Sequence, residues 1–117
     1  KIGERIEQLM PRPGGYDHNY VLNREGKPPY FAARLFEPES GRIMEVFTTQ
    51  PGMQIYTANH FNGKIIGIGG VAFPRYGAIC FETQHFPDSP NKPNFPSTVL
   101  RPGEKFENTT IFKFSKS

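Results

Sequence analysis

Several features that would indicate other classes of protein are scarce or missing in this sequence of 117 residues. It has no Trp and a single cysteine, Cys80, so an intramolecular disulfide cannot form and a reducing compartment such as the cytoplasm is expected. No apolar run approaches the roughly 18 residues of a membrane helix, and no signal peptide is visible. We therefore predict a cytoplasmic protein without a membrane partner.

Clusters of positive charge are also missing. The net charge is +3, but no two Lys or Arg residues are adjacent, and acidic residues are interleaved with them. Nucleic-acid binding requires a basic patch or stripe, so it is not predicted. The histidines His18, His60 and His85 lack the spacing of metal ligands with one another or with Cys80, so no metal site is predicted.

Proline, glycine and phenylalanine, in contrast, are abundant. Twelve Pro and twelve Gly are too many for a helical protein, whereas eleven Phe and five Tyr suit β-strands. Apolar runs at residues 30–36 and 42–48 flank a turn-forming segment that ends in Gly41, which predicts a hairpin. Further strands are expected at residues 16–22, 53–58, 77–81, 97–100 and 106–114. The pattern predicts an all-β fold, either a sandwich or a barrel.

Candidate functional residues lie in or next to these predicted strands. Glu82 follows the apolar run 78–81 and precedes a polar loop with four prolines, which is expected to be rigid and ordered. Burial at such a strand end would raise the pKa of its carboxyl group towards a value useful for a general base. For Asp17 and Gln54 the residues alone favour ordinary polar positions in strands. The apolar neighbours of Cys80 predict a buried core thiol.

Four blocks of the sequence resemble the galactose mutarotase (aldose 1-epimerase) family. GGYDHNYVL at residues 14–22 resembles the family's GG-[YF]-DHN-[FY]-x-L block, and SGRIMEVFTTQPGMQIYT at 40–57 resembles SGR-x-[ML]-E-V-x-TTQPG-x-Q-x-YT. ETQHFPDSPNKPNFP at 82–96 resembles ETQ-x-x-PDAxN-x-P-x-FP. The last block, which begins with LRPGE at 100–104 and continues with TT and KFS, resembles the family's C-terminal end.

This resemblance implies a large antiparallel β-sandwich, of which residues 1–117 form the C-terminal portion of a single domain whose N-terminal half is absent from this chain. It implies an aldose 1-epimerase that interconverts the α and β anomers of galactose or glucose by acid/base ring opening and reclosure. Glu82 matches the catalytic base, and Asp17 and Gln54 match substrate-binding residues. The implied partners are a small hexose and the N-terminal half of the domain, and no cofactor is implied.

One departure from the family keeps other hypotheses open. The family's acid histidine lies in an HPYFNL-type block that this sequence lacks, and His18 matches the DHN motif only as the neighbour of the sugar-binding Asp. A second hypothesis is therefore a non-catalytic carbohydrate-binding or interaction protein on the same fold. A third is a fragment without activity of its own, which also fits a sequence that starts at Lys1 rather than at Met. The 117-residue chain alone is expected to be inactive without the N-terminal half.

Overall fold

The computed structural model describes residues 1–12 and 14–117, and these residues form a nearly all-β structure. The strands of the described residues are β1 Asp17–Val21, β2 Tyr30–Glu37, β3 Arg42–Thr48, β4 Gly52–Tyr56, β5 Cys80–Gln84 and β6 Thr110–Lys116. Short 3₁₀ helices lie at Ile2–Gln8, Ile68–Gly70 and Ser89–Asn91. The strands form two three-stranded sheets with the orders β1-β4-β5 and β2-β3-β6. The predicted all-β fold class is thus confirmed.

The chain divides into two compact units. The first consists of Lys1–Tyr20 and Gln54–Glu82, and the second of Val21–Met53 and Thr83–Ser117. The first unit contains most of β1 and β5, and the second contains the whole of the β2-β3-β6 sheet.

The second unit is built around the predicted hairpin, which is confirmed. Strands β2 and β3 pair in antiparallel register from Glu37↔Arg42 at the turn to Tyr30↔Thr48, with one irregularity near Phe31. Gly41 closes the turn with a φ of 70°, a left-handed conformation that glycine adopts without steric cost. Strand β6 pairs antiparallel with the other side of β3, so β3 is the central strand of this sheet.

Three of the predicted strands differ from the structure. Residues 97–100 form no strand; the Val99 N–H instead donates to Ser97 Oγ at 3.2 Å, a local hydrogen bond that competes with strand pairing. The last strand starts at Thr110 rather than at residue 106, because its partner β3 ends at Thr48, opposite Thr110. The strand predicted at 77–81 is β5, which begins only at Cys80 and continues past Glu82.

The apolar side chains of the described residues are only partly buried. Val46, in the middle of β3, is fully buried, and Met53 and Ala58 are buried as well. Many large apolar side chains are exposed, and those on β2 and β6 are Phe31, Phe36, Ile111, Phe112 and Phe114. Cys80 is also exposed, so the prediction of a buried core thiol was wrong. Its strand leaves Cys80 on an uncovered position, which an apolar run in the sequence does not reveal.

Candidate functional site

The three candidate residues lie on three neighbouring strands of one sheet. Asp17 is the first residue of β1, Gln54 is the middle residue of β4, and Glu82 is the middle residue of β5. The sheet order β1-β4-β5 places the strand of Gln54 between the other two. All three residues belong to the first compact unit.

Asp17 and Gln54 are in direct contact. The Gln54 Nε2 donates a hydrogen bond of 2.7 Å to Asp17 Oδ1. Backbone hydrogen bonds from Thr57 N to Tyr16 O and from Leu22 N to Pro51 O fit one antiparallel register between β1 and β4. In this register Asp17 and Gln54 are diagonal neighbours on the same face, which explains why their side chains meet.

This pair keeps hydrogen-bonding capacity for a further group. Asp17 is exposed, and an ionised carboxylate can accept several hydrogen bonds. Gln54 is half-buried, and its Oε1 has no hydrogen-bond partner among the described residues. The pair therefore offers two kinds of acceptor, a charged carboxylate and a neutral carbonyl, side by side on one sheet face. Such groups suit the hydroxyls of a neutral polar ligand.

His18 lies beside Asp17 and contacts its backbone. The Asp17 N–H donates to His18 Nδ1 at 3.0 Å, and the His18 ring packs edge-to-face on Tyr16 at a centroid distance of 6.2 Å. The imidazole is half-buried. With Nδ1 accepting from the backbone, Nε2 carries the hydrogen of the neutral ring.

Glu82 occupies a more open position than expected. The strand-end burial predicted for it is wrong, because β5 continues through Gln84 and the Glu82 side chain is exposed. The residue is nevertheless held at the centre of a short paired strand, which fixes its backbone. On the following residue, the Thr83 hydroxyl shares a hydrogen bond of 2.6 Å with the hydroxyl of Thr110.

The loop with four prolines after β5 is held together by its own side chains. Buried Ser89 donates from Oγ to the Phe86 carbonyl at 2.6 Å, and the Phe86 and Phe95 rings pack edge-to-face at 5.2 Å. A 3₁₀ turn at Ser89–Asn91 shortens the segment. These contacts agree with the ordered loop expected after Glu82.

Residues 1–12 and 14–117 contain neither a metal-binding cluster nor a membrane-spanning helix. This part of the chain has no cluster of three or more His, Cys, Asp or Glu side chains arranged to hold a metal ion. None of its helices combines the length and apolar character needed to cross a bilayer.

Two buried polar residues beside the site, Thr57 and Asn59, were not among the predicted functional residues, although Thr57 is the last residue of the block at 40–57. Their side chains hydrogen-bond the backbone of Tyr16, the residue before Asp17. Their position shortly after strand β4 is where a turn to solvent is the simpler expectation from sequence.

Comparison with known proteins identifies the family. The family model for aldose 1-epimerase matches residues 1–113. The chain is 48% identical over 115 residues to the galactose mutarotase of Homo sapiens, which covers 98% of this chain and 33% of that protein. It is 50% identical over 101 residues to the galactose mutarotase of Mus musculus, covering 86% of this chain and 29% of that protein.

More distant relatives agree with this assignment. The aldose 1-epimerase of Escherichia coli (strain K12) is 32% identical over 102 residues, covering 86% of this chain and 29% of that protein. The crystal structure of the GalM/aldose epimerase homologue from C. elegans superposes with a TM-score of 0.76 at 25% identity, over 86% of this chain and 30% of that chain. The chain thus spans about a third of the length of the curated relatives that it matches. It belongs to the aldose 1-epimerase family.

Proposed function

We propose that the full-length protein carrying these residues is an aldose 1-epimerase that interconverts the α and β anomers of galactose or glucose. Membership of the family supports this activity, and the relatives called galactose mutarotase suggest the hexose. The observation that carries the proposal is the hydrogen-bonded pair of Asp17 and Gln54 on the strands next to that of Glu82. A neutral sugar is bound mainly through its hydroxyls, which this pair is suited to accept.

Asp17 and Gln54 take the role of substrate-binding residues. The Asp17 carboxylate accepts from sugar hydroxyls, and its bond from Gln54 Nε2 limits the orientations open to it. The Gln54 Oε1, which has no partner among the described residues, accepts from a further hydroxyl. A polar group that is desolvated and unpaired costs free energy, so a ligand hydroxyl at this atom would be favourable.

Glu82 acts as the general base of the reaction. Its carboxylate takes the proton from the anomeric hydroxyl O1 while an acid donates a proton to the ring oxygen O5, and the C1–O5 bond breaks to give the open-chain aldehyde. Rotation about C1–C2 presents the other face of the carbonyl to O5. Reclosure then returns both protons by the reverse transfers and gives the other anomer.

The remainder of the site comes from the other part of the domain. In this proposal residues 1–117 are the C-terminal portion of a single β-sandwich domain, and the upstream half supplies the acid histidine. The apolar side chains exposed on β2 and β6 support a further layer of protein packed on these strands, because a sheet needs a second layer to bury an apolar face. The single cysteine fits a cytoplasmic location.

A substitution of the base tests the proposed activity. Glu82→Gln keeps the shape of the side chain but cannot accept the proton, so mutarotation of α-galactose by the full-length protein should slow by about 10²–10⁴-fold. Polarimetry measures the rate, and circular dichroism checks the fold. Glu45→Gln is the matched control, because Glu45 also lies in the middle of a strand but pairs with Lys113 on the second unit.

Two other results of these measurements would contradict the proposal, each in a different way. Near-normal mutarotation by Glu82→Gln would remove Glu82 from the mechanism. A wild-type protein that binds galactose without accelerating mutarotation would support the non-catalytic carbohydrate-binding hypothesis instead.

A further inference from the structure

The backbone of Tyr16, directly before Asp17, is held by two side chains that follow strand β4. The Tyr16 N–H donates to Thr57 Oγ1 at 2.8 Å, and the Tyr16 carbonyl accepts from Asn59 Nδ2 at 2.8 Å. The Thr57 hydroxyl in turn donates to Asn59 Oδ1 at 2.6 Å. The Thr57 N–H also donates to the Tyr16 carbonyl at 3.1 Å. Both polar backbone groups of Tyr16 are therefore bonded to this Thr57–Asn59 pair.

The pair is well shielded from water, so its hydrogen bonds are strong constraints. Thr57 is 3% exposed and Asn59 is 5% exposed. Breaking a buried hydrogen bond leaves a desolvated group unpaired, which makes alternative backbone positions unfavourable.

Gly15 shows how closely the backbone approaches the pair. A Cβ at this position would lie 1.9 Å from Asn59 Oδ1, and Gly15 has a φ of 89°, which L side chains rarely adopt. The glycine thus allows the chain to reach the Asn59 carboxamide before it enters β1. The close approach therefore depends both on the absence of a side chain at Gly15 and on the buried carboxamide of Asn59.

We infer that Thr57 and Asn59 are positioning residues for substrate binding, acting through Tyr16 on the adjacent Asp17 carboxylate. Thr57 lies three residues after Gln54 on the same segment, so one stretch of chain carries a ligand-binding amide and also anchors the strand that carries its carboxylate partner. The Gln54–Asp17 bond joins only two side chains. The Thr57–Asn59 pair adds side-chain bonds to both polar groups of the backbone directly before Asp17, next to the pairing of β1 with β4. This inference rests on the proposed role of Asp17 as a sugar-binding residue.

A double-mutant cycle in the full-length protein tests the inference. Thr57→Val keeps the shape of the side chain and removes the hydroxyl, and misplacement of Asp17 should lower kcat/KM for α-galactose by about 10-fold to 10²-fold. The same change in an Asp17→Ala background should cause a further loss of less than about 3-fold, because the group that Thr57 positions is already gone. Thr57→Ser, which retains the hydroxyl, should restore most of the activity.

Thr49 provides a matched control. Its hydroxyl has the same two kinds of contact, since it accepts from the Thr109 N–H at 3.1 Å and donates to Asn108 Oδ1 at 3.1 Å, and it belongs to the second unit. Thr49→Val should therefore leave kcat/KM within about 2-fold and show no coupling to Asp17→Ala. Thermal melts of all variants identify any that fail to fold, and hydrogen exchange should show faster exchange of the Tyr16 and Asp17 amides in Thr57→Val alone.

Each outcome decides between the inference and the function on which it rests. Equal losses from Thr57→Val in the wild-type and Asp17→Ala backgrounds would mean a general structural effect and would overturn the inference, while leaving the proposed function intact. Unchanged activity in Thr57→Val would overturn it in the same way. A wild-type protein without mutarotase activity, or one in which Asp17→Ala has no effect, would refute the proposed role of Asp17 and the inference together.

Discussion

The polar network around Tyr16 in the first unit and the β2-β3-β6 sheet of the second unit differ in how their groups are paired or buried. In the first unit the buried side chains of Thr57 and Asn59 are hydrogen-bonded to the backbone of Tyr16, while the nearby Gln54 Oε1 has no hydrogen-bond partner among the described residues. In the sheet of the second unit β6 pairs with β3 at every residue from Arg42 to Thr48, but apolar side chains on the flanking strands stay exposed. The polar backbone groups of Tyr16 thus find their partners within the first unit, whereas large apolar side chains remain exposed in both units, for example Ile68 in the first and Phe114 in the second.

The difference follows from the range of the two kinds of interaction. A hydrogen bond is complete once a donor and an acceptor meet, and neighbouring strands and turns bring such groups together. Burial of an apolar strand needs a second layer of structure across its whole face. Phe114 is 73% exposed although its backbone pairs with β3, so strand pairing here does not bring burial of the side chain.

The largest expected effect is on the 117-residue chain made alone. Residues 1–117 without the upstream half should aggregate or remain partly unfolded, because exposed Phe side chains and unpaired strand edges favour association. Size-exclusion chromatography and a thermal melt measure this. A monomeric product with a cooperative melt would contradict the prediction and would show that the second unit needs no cover.

A pair of substitutions sharpens the same test. Phe112→Ser combined with Phe114→Ser should reduce aggregation of the isolated chain, since it removes exposed apolar surface from β6. In the full-length protein the same change should lower the melting temperature, because these side chains would be buried there. Less aggregation of the isolated chain together with a lower melting temperature of the full-length protein would indicate a covered face. An unchanged melting temperature of the full-length protein would argue against one.

Sequence patterns predicted local pairing better than they predicted exposure. The hairpin of β2 and β3 follows from two apolar runs around a turn that ends in Gly41, and the structure contains it. The exposure of Cys80 and Glu82 was missed, because an apolar run shows that a strand forms but not which protein surface covers it. The family resemblance, rather than any periodicity, brought Asp17 and Gln54 together as candidates, and in the structure their side chains are hydrogen-bonded.

The Thr57–Asn59 pair could not be predicted from sequence for a different reason. Its contacts depend on the register between β1 and β4 and on the path of the chain through Gly15, neither of which a linear pattern specifies. A buried Asn after a strand looks like an ordinary turn residue until the backbone that it binds is known.

A moderate effect is expected from Asp17→Ala in the full-length protein. Loss of a hydrogen bond to a charged group typically costs about 1.5–3 kcal/mol, so KM for galactose should rise. The value of kcat should fall as well if Asp17 also fixes the sugar for ring opening. Steady-state kinetics separate the two constants. Finding both unchanged would show that Asp17 is only a solvated strand residue.

Asp17→Asn is the matched variant for this experiment. It retains an oxygen that accepts from Gln54 Nε2 but loses the charge, and neutral hydrogen bonds are about half as strong as charge-assisted ones. Its kinetic defect should therefore lie between those of the wild type and Asp17→Ala. A defect as large as that of Asp17→Ala would show that the charge, rather than the bond to Gln54, dominates.

The smallest expected effect concerns the β2–β3 turn of the second unit. Hydrogen bonds from Ser40 and from the backbone of Glu39 hold the pKa of Glu37 below its ordinary value of 4.5. A lowered pKa in the folded state adds stability above the ordinary value, and this stability is lost as the pH falls through the lowered pKa. In the full-length protein, Glu37→Gln should therefore weaken the decrease of the melting temperature with falling pH below about pH 4.5. Glu39→Gln, which changes the same charge in the same turn but leaves the Ser40 acceptor in place, should keep it, and equal pH dependence in both variants would contradict this role for Glu37.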